Sequence, residues 1–122
     1  MNLLPAEIVT VTAKGATVRT AAGETLKVAV NATRARAGDK VTLGVRPEHL
    51  TTAGKGDTVS AKVVFVETLG HATYAYLTAG DEPVTVLLPG DVRPSAGETL
   101  SLRVPADQAH LFDGDGEAFA RL

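Results

Sequence analysis

Residues 37–50 read AGDKVTLGVRPEHL. Val41 to Val45 is apolar and largely β-branched, which is the composition of a short strand. What precedes it recurs later in the chain. Ala37-Gly38-Asp39-Lys40-Val41-Thr42-Leu43 is echoed by Ala96-Gly97-Glu98-Thr99-Leu100-Ser101-Leu102, an offset of 59. A second pair, Ala6-Glu7-Ile8-Val9-Thr10-Val11 and Ala61-Lys62-Val63-Val64-Phe65-Val66, is offset by 55. After each later element come Val and Pro (Val45, Pro47; Val104, Pro105), then a polar stretch and His-Leu or Leu. Order and spacing both recur, so two strand–turn–strand units are expected. Each alone is too small to bury a good core, and the two must close on each other.

The same short-strand signal runs along the chain. Strands are expected over Glu7–Thr12, Ala16–Thr20, Glu24–Val30, Val41–Val45, Thr58–Thr68, Ala72–Leu77, Val84–Leu88 and Thr99–Val104. Gly or Pro separates most of them. No window sustains the i, i+3, i+4, i+7 apolar pattern of a helix. The expected fold class is therefore all-β, an OB-like barrel or barrels of short strands with an internal pseudo-repeat and little helix. The 122 residues suit a single domain, 1–122, with repeat-like halves at about 6–50 and 61–112.

Composition narrows the function. With 44% apolar and 21% charged residues the chain can build an ordinary core. It has no cysteine, which excludes disulfides, thiolate metal sites and a Cys nucleophile, and suits a reducing compartment. No apolar run is long enough to span a bilayer, and no basic-then-apolar leader opens the chain, so any membrane link is expected through a partner. Charge is split. Residues 1–62 carry nine Lys/Arg against five Asp/Glu, a net of +4, and residues 63–122 carry three against nine, a net of −6. Either both halves simply present solvated surface, or they offer complementary faces through which two copies meet.

The usual chemical motifs fail. A phosphate-binding loop needs G-x-x-x-x-G-K-[ST], and the Gly54-Lys55 pair is followed by Gly56 and preceded at the wrong spacing by His49. Asp113-Gly114-Asp115-Gly116-Glu117 lacks the glycine at position six and the glutamate at position twelve of a calcium loop, and reads as a tight turn. His49, His71 and His110 have no metal-ligand spacing. There is no G-x-S-x-G, and the carboxylates are scattered through turns, so neither a hydrolase triad nor a glycosidase pair is supported. Nucleic-acid binding by a small barrel needs a basic groove with stacking aromatics. Tyr74 and Tyr76 share a strand face without Lys/Arg nearby in sequence, and Arg34, Arg36 and Lys40 make only a modest basic patch.

The segment Leu43-Gly44-Val45-Arg46-Pro47-Glu48-His49-Leu50 resembles a motif of the C-terminal regulatory (TOBE-type, OB-like) region of ATP-binding subunits of carbohydrate ABC importers, the maltose-transporter ATPase group. Three further segments carry the resemblance in the right order. Met1 to Pro5 resembles the exit from the nucleotide-binding domain, Val66-Glu67-Thr68-Leu69-Gly70 the strand and turn of the second half, and His110-Leu111-Phe112-Asp113 the terminal signature. The resemblance implies that the chain is a regulatory and dimerisation domain without catalytic motif or cofactor of its own. ATP and Mg would belong to the full-length parent, an ATPase energising sugar uptake. It also implies a second copy of the chain as partner, a regulatory protein as a further one, and membrane subunits reached only through the missing ATPase domain. No nucleic acid is implied. The location would be cytoplasmic, peripheral to the inner face of the cell membrane. The Ser-Ala-Arg-Asn signature of related molybdate-binding modules is absent.

These readings make Arg46, Pro47, Glu48, His49 and Leu50 a corner bordering an interaction surface, joined by His110, Leu111 and Phe112. Pro47 donates no backbone N–H, so strand pairing should weaken there. Were the strand to continue, Arg46 and Glu48 would share one face and His49 the other. The alternative for this corner is that Arg46 and Glu48 merely pin a turn. For Phe112 the choice is between a plug at the barrel end and an anchor into a partner. Two other functions stay open on sequence: a barrel that senses a small oxyanion or metabolite, and an oligonucleotide-binding OB-fold. The missing phosphate loop gives a direct expectation. Isothermal titration calorimetry of the purified chain should detect no ATP binding, and tight binding would overturn the assignment.

Overall fold

The computed structural model describes residues 1–52 and 56–122; the Gly54-Lys55 pair lies outside the described residues. Nine strands are present among them: β1 (Asn2–Thr12), β2 (Gly15–Thr20), β3 (Thr25–Val28), β4 (Lys40–Val45), β5 (Thr58–Leu69), β6 (Ala72–Ala79), β7 (Glu82–Pro89), β8 (Thr99–Arg103) and β9 (His110–Phe112). One 3-10 turn, Pro47–His49, is the sole helical element described. The expected all-β class with little helix is what the chain adopts.

The strands form two antiparallel sheets, ordered β3-β2-β1-β4-β9 and β7-β6-β5-β8. With β9 set aside the two orders are the same, each half folding its first strand between its second and fourth. The likeness extends to detail. Register slips between Ile8 and Thr10 on β1 and between Val63 and Phe65 on β5, leaving Val9 and Val64 as the extra residues of two bulges. Beside the first bulge, Gly38 N donates to Ile8 O at 2.8 Å and Ile8 N to Asp39 O at 2.9 Å. Beside the second, Gly97 N donates to Val63 O and Val63 N to Glu98 O, both at 2.8 Å. Gly38 and Gly97 hold φ of +94° and +89°, a conformation that costs glycine little and other residues more.

The halves are joined by exchange. Leu50 and Thr51 follow β4, yet Thr51 pairs with Arg103 of β8; β9 follows β8, yet pairs with β4 through Thr42–Phe112, Leu43–Leu111 and Gly44–His110. Side chains finish the outer edges in the same reciprocal way. Asn2 acts as a short extra strand against β7, its Nδ2 donating to Thr85 O and its Oδ1 accepting from Thr85 N, both at 2.8 Å. Asp57, offset by 55, accepts from Lys27 N of β3 at 2.9 Å. The core is one continuous aliphatic cluster drawn from both halves, including Ile8, Val18, Leu43, Leu77, Val86 and Leu102.

Three expectations change. β1 begins at Asn2 rather than Glu7, running through Pro5 where β1 is paired with β4 but not yet with β2; a strand with one open side tolerates the missing donor. β3 ends at Val28, and Val30 makes only an isolated bridge to Arg121. β9 was not foreseen as a strand. Loss of the Asn2 pairing gives a measurable effect. Asn2→Ala should lower unfolding stability in urea by about 2 kcal/mol, because it strips a partner from backbone groups of β7. An unchanged midpoint would show that the edge is sealed without it.

Candidate interaction surfaces

The Arg46–Leu50 corner begins where β4 stops. Arg46 is extended (φ −75°, ψ 147°), as a residue before proline prefers, and Pro47 opens the 3-10 turn. His49 N closes it on Arg46 O at 3.0 Å. The strand therefore does not continue, and Arg46 and Glu48 do not share a strand face; both are exposed, on either side of a half-buried Pro47. The turn lies against β7. His49 is half-buried, and its Nδ1 is buried with no hydrogen-bond partner among the described residues.

Leu50 and Leu111, expected near an interface, are 1% and 0% exposed. Each lies in an exchanged segment whose pairing turns it into the core, so neither can meet a partner. Phe112 is half-buried and lies over β4. A Cβ on Gly44 would stand 2.9 Å from Phe112 Cε2 and 2.7 Å from Met1 Sδ, so glycine there admits the ring against the strand backbone. Phe112 thus covers the outside of the first sheet and does not plug the barrel end. His110 shares that face, its ring centroid 6.5 Å from that of Phe112.

The basic patch is largely spent inside the chain. Arg34 pairs with Asp113 and stacks 4.0 Å over the Phe119 ring. The Arg34 hydrogen bond, followed by the Glu117 backbone N–H, holds the Asp113 carboxyl below its usual range. Asp113 Oδ1 accepts from the backbone N–H of Asp115 and Glu117 at 2.9 Å each, so the Asp-Gly-Asp-Gly segment is the tight turn its sequence suggests. Lys40 pairs with Glu7 at 3.0 Å.

A second surface was missed by sequence reasoning. On the outside of β5 and β6, Phe65 stacks on Tyr76 with centroids 4.5 Å apart and planes 20° apart. Val64, Phe65 and Leu69 are 54%, 54% and 52% exposed. Register sets Tyr74 opposite Glu67 and beside Leu87 of β7. Tyr76 Oη approaches Glu67 Oε1 at 3.4 Å, and partial desolvation, then the Glu67 charge, push its phenol up from the usual value. The result is a flat aromatic and aliphatic face with one carboxylate in it. The signal was present in Val64-Phe65, two apolar neighbours that cannot both face one core on a regular strand. A groove of about 260 Å³ runs between the sheets; its lining includes Glu24, Asp81 and Glu82, the wrong sign for an anion.

Known proteins share this arrangement. Residues 1–50 match the MalK OB fold domain family and residues 43–112 match the TOBE domain family. The maltose/maltodextrin import ATP-binding protein MalK of Vibrio vulnificus (strain YJ016) is 38% identical over 125 residues, covering 100% of this chain and 34% of that protein. MalK of Photobacterium profundum is 36% identical over the same shares. The sn-glycerol-3-phosphate import ATP-binding protein UgpC of Salmonella typhi is 43% identical over 83 residues, 67% of this chain and 23% of that protein. The chain thus spans about a third of the length of the MalK relatives it matches. Among solved structures, the cytoplasmic molybdate-binding protein ModG superposes with a TM-score of 0.76 over 90% of this chain and 94% of that one, at 14% identity, a likeness of fold alone. With more than half of its residues matched, the chain belongs to the TOBE domain family.

Proposed function

We propose that the chain is the regulatory and dimerisation domain of an ATP-binding subunit of a carbohydrate ABC importer, and takes no part itself in ATP hydrolysis. The observation that carries this reading is the alignment of the whole chain with one third of a maltose/maltodextrin import ATP-binding protein. ATP and Mg belong, on this reading, to a nucleotide-binding domain outside the chain. Membrane subunits are engaged through that domain, and the chain works at the cytoplasmic side of the membrane. No helix among the described residues is long and apolar enough to cross a membrane. A regulatory protein is a further partner. Nucleic acid is not a partner, since Arg34 and Lys40 already hold carboxylates and Glu67 lies beside the stacked aromatic pair.

The partner of first rank is a second copy of the chain. The exposed Val64, Phe65 and Leu69 on the outside of the second sheet support it better than Phe112, much of whose ring is already used against Gly44. Aromatic side chains concentrate binding energy where they are desolvated on association. Sedimentation velocity over a concentration series should show reversible dimerisation with Kd near micromolar, on the order of −8 kcal/mol. Phe65→Ser should weaken it by about tenfold or more and leave the melting temperature nearly unchanged. Phe112→Ala should instead lower the melting temperature and leave association largely intact. A strict monomer at about millimolar concentration would remove the dimerisation assignment for this chain.

A further inference from the structure

We propose that the groove beside Arg93 in the second half is a docking site for an extended segment of a partner protein that carries an aromatic ring and a carboxylate. The first half shows what such a segment looks like. There the loop that follows β3 is covered by the end of the chain, which runs extended, bridged at Ala118 to Phe112 and at Arg121 to Val30. Phe119 is 5% exposed, and its backbone N donates to Leu111 O at 2.9 Å. Asn31 N donates to Ala120 O at 2.7 Å. Arg34 lies 4.0 Å over the Phe119 ring and pairs with Asp113. Ala35 and Val41 line the same seat.

At the offset of 59, Arg34, Ala35 and Val41 become Arg93, Pro94 and Leu100. These three line a groove of about 270 Å³ together with Leu88 and Val92. The seat is duplicated, but its cover is not. Val41 is 6% exposed, whereas Leu100 is only partly buried and Val92 is 37% exposed. Between Thr52 and β5 the sequence is Ala53-Gly54-Lys55-Gly56-Asp57, which has no aromatic ring to bring. Its one carboxylate, on Asp57, already accepts from Lys27 N.

Charge points the same way. Arg93 spends its Nε on Gly90 O at 3.1 Å and has no carboxylate within ion-pair distance among the described residues. Glu98 also lines the groove, at the position of Asp39. Asp39 lines the first seat and accepts from Arg36 N, while Arg34 pairs with Asp113, so a carboxylate at this position does not replace one brought by the covering segment. The differences between the halves enlarge the apolar contact: Val92 stands for Thr33, Pro94 for Ala35 and Leu100 for Val41. A segment that laid a ring on these side chains and a carboxylate on the Arg93 fork would gain apolar burial and a charge-assisted hydrogen bond together. The seat follows from the repeat alone and is independent of the importer assignment.

The end of the chain supplies the probe. A synthetic peptide of residues 113–122, Asp-Gly-Asp-Gly-Glu-Ala-Phe-Ala-Arg-Leu, carries the ring and the carboxylate of the first seat. When it is titrated into the isotope-labelled protein, the backbone amides of Val92, Arg93 and Leu100 should shift saturably in NMR spectra, with Kd on the order of 100 micromolar. Those of Arg34 and Val41 should stay in place. Phe119→Ala or Asp113→Asn in the peptide should each weaken binding about tenfold or more. In the protein, Arg93→Gln and Val92→Asp, both at exposed positions, should do the same with an unchanged melting curve. The proposal falls if no saturable shift appears at about millimolar peptide, if the peptide without its ring binds as well, or if the shifts gather at Arg34 and Val41 instead. It falls too if Val92→Asp abolishes self-association of the chain, which would make the occupant a second copy.

Discussion

A sheet that ends on open strands must find something to cover them, and in this chain each half is covered by the other. β4 would leave an open edge without β9, which arrives from beyond the second half. β8 receives Thr51, which arrives from beyond the first. β7 is met by Asn2 and the Pro47–His49 turn, and β3 by Asp57 and by Ala106, whose carbonyl accepts from Ala29 N at 2.9 Å. Unpaired edges cost hydrogen bonds and invite aggregation. A half cut at the midpoint would expose both its outer strands and lose either Leu50 or Leu111 from its core. The repeat is therefore not two domains side by side. It is one unit in which closure is reciprocal, and the core depends on that exchange.

The paired bulges do a second job. Along β5, strict alternation from Ala61 and Val63 would turn Phe65 inward. The extra residue at Val64 reverses the phase, so Phe65 faces solvent and Val66 packs on the core. β1 has the same device at Val9, but there the reversal exposes Thr10 and brings Val11 inward. One backbone feature thus presents a hydroxyl on one half and an aromatic ring on the other. The scaffold is duplicated while the surface it carries has diverged: the bulge on the second half presents Phe65, and the exposed apolar residues of the first half, Met1 and Leu3, lie away from its bulge, beside Gly44.

This is also where reading the sequence reached its limit. β-branched alternation and the two echoes carried the strands and the pseudo-repeat, because a half-buried strand writes its period into its composition. β9 left no such trace. Three residues cannot establish a period, and His110–Phe112 becomes a strand only because β4 is there to pair with it. Leu50 and Leu111 looked like surface residues for the same reason: each stands beside a polar stretch, and the strand that buries it is far along the chain. Phe65 was hidden by a bulge, which no propensity predicts, although the adjacent Val64-Phe65 pair could have raised it. Arg46 and His49 stand in a segment whose proline marks a corner in the sequence, whereas Arg121 carries no such mark, since its link to His110 exists only in three dimensions.

Reciprocal exchange has one further consequence for chemistry. His49 and His110 close matching segments, each one residue before the leucine that enters the core. The exchange carries them toward one another, near enough for the charge of one to act on the other. The residues around them are not matched. Val45 is followed by Arg46 before its proline, whereas Val104 meets Pro105 directly; Arg121 lies on His110, and no equivalent cation among the described residues lies on His49 Nδ1. The two-fold pattern of the backbone thus gathers the imidazoles, and departures from it supply the guanidinium groups. Like charges gather at a surface corner at a cost in stability, since crowded cations repel and partial burial removes water that would screen them.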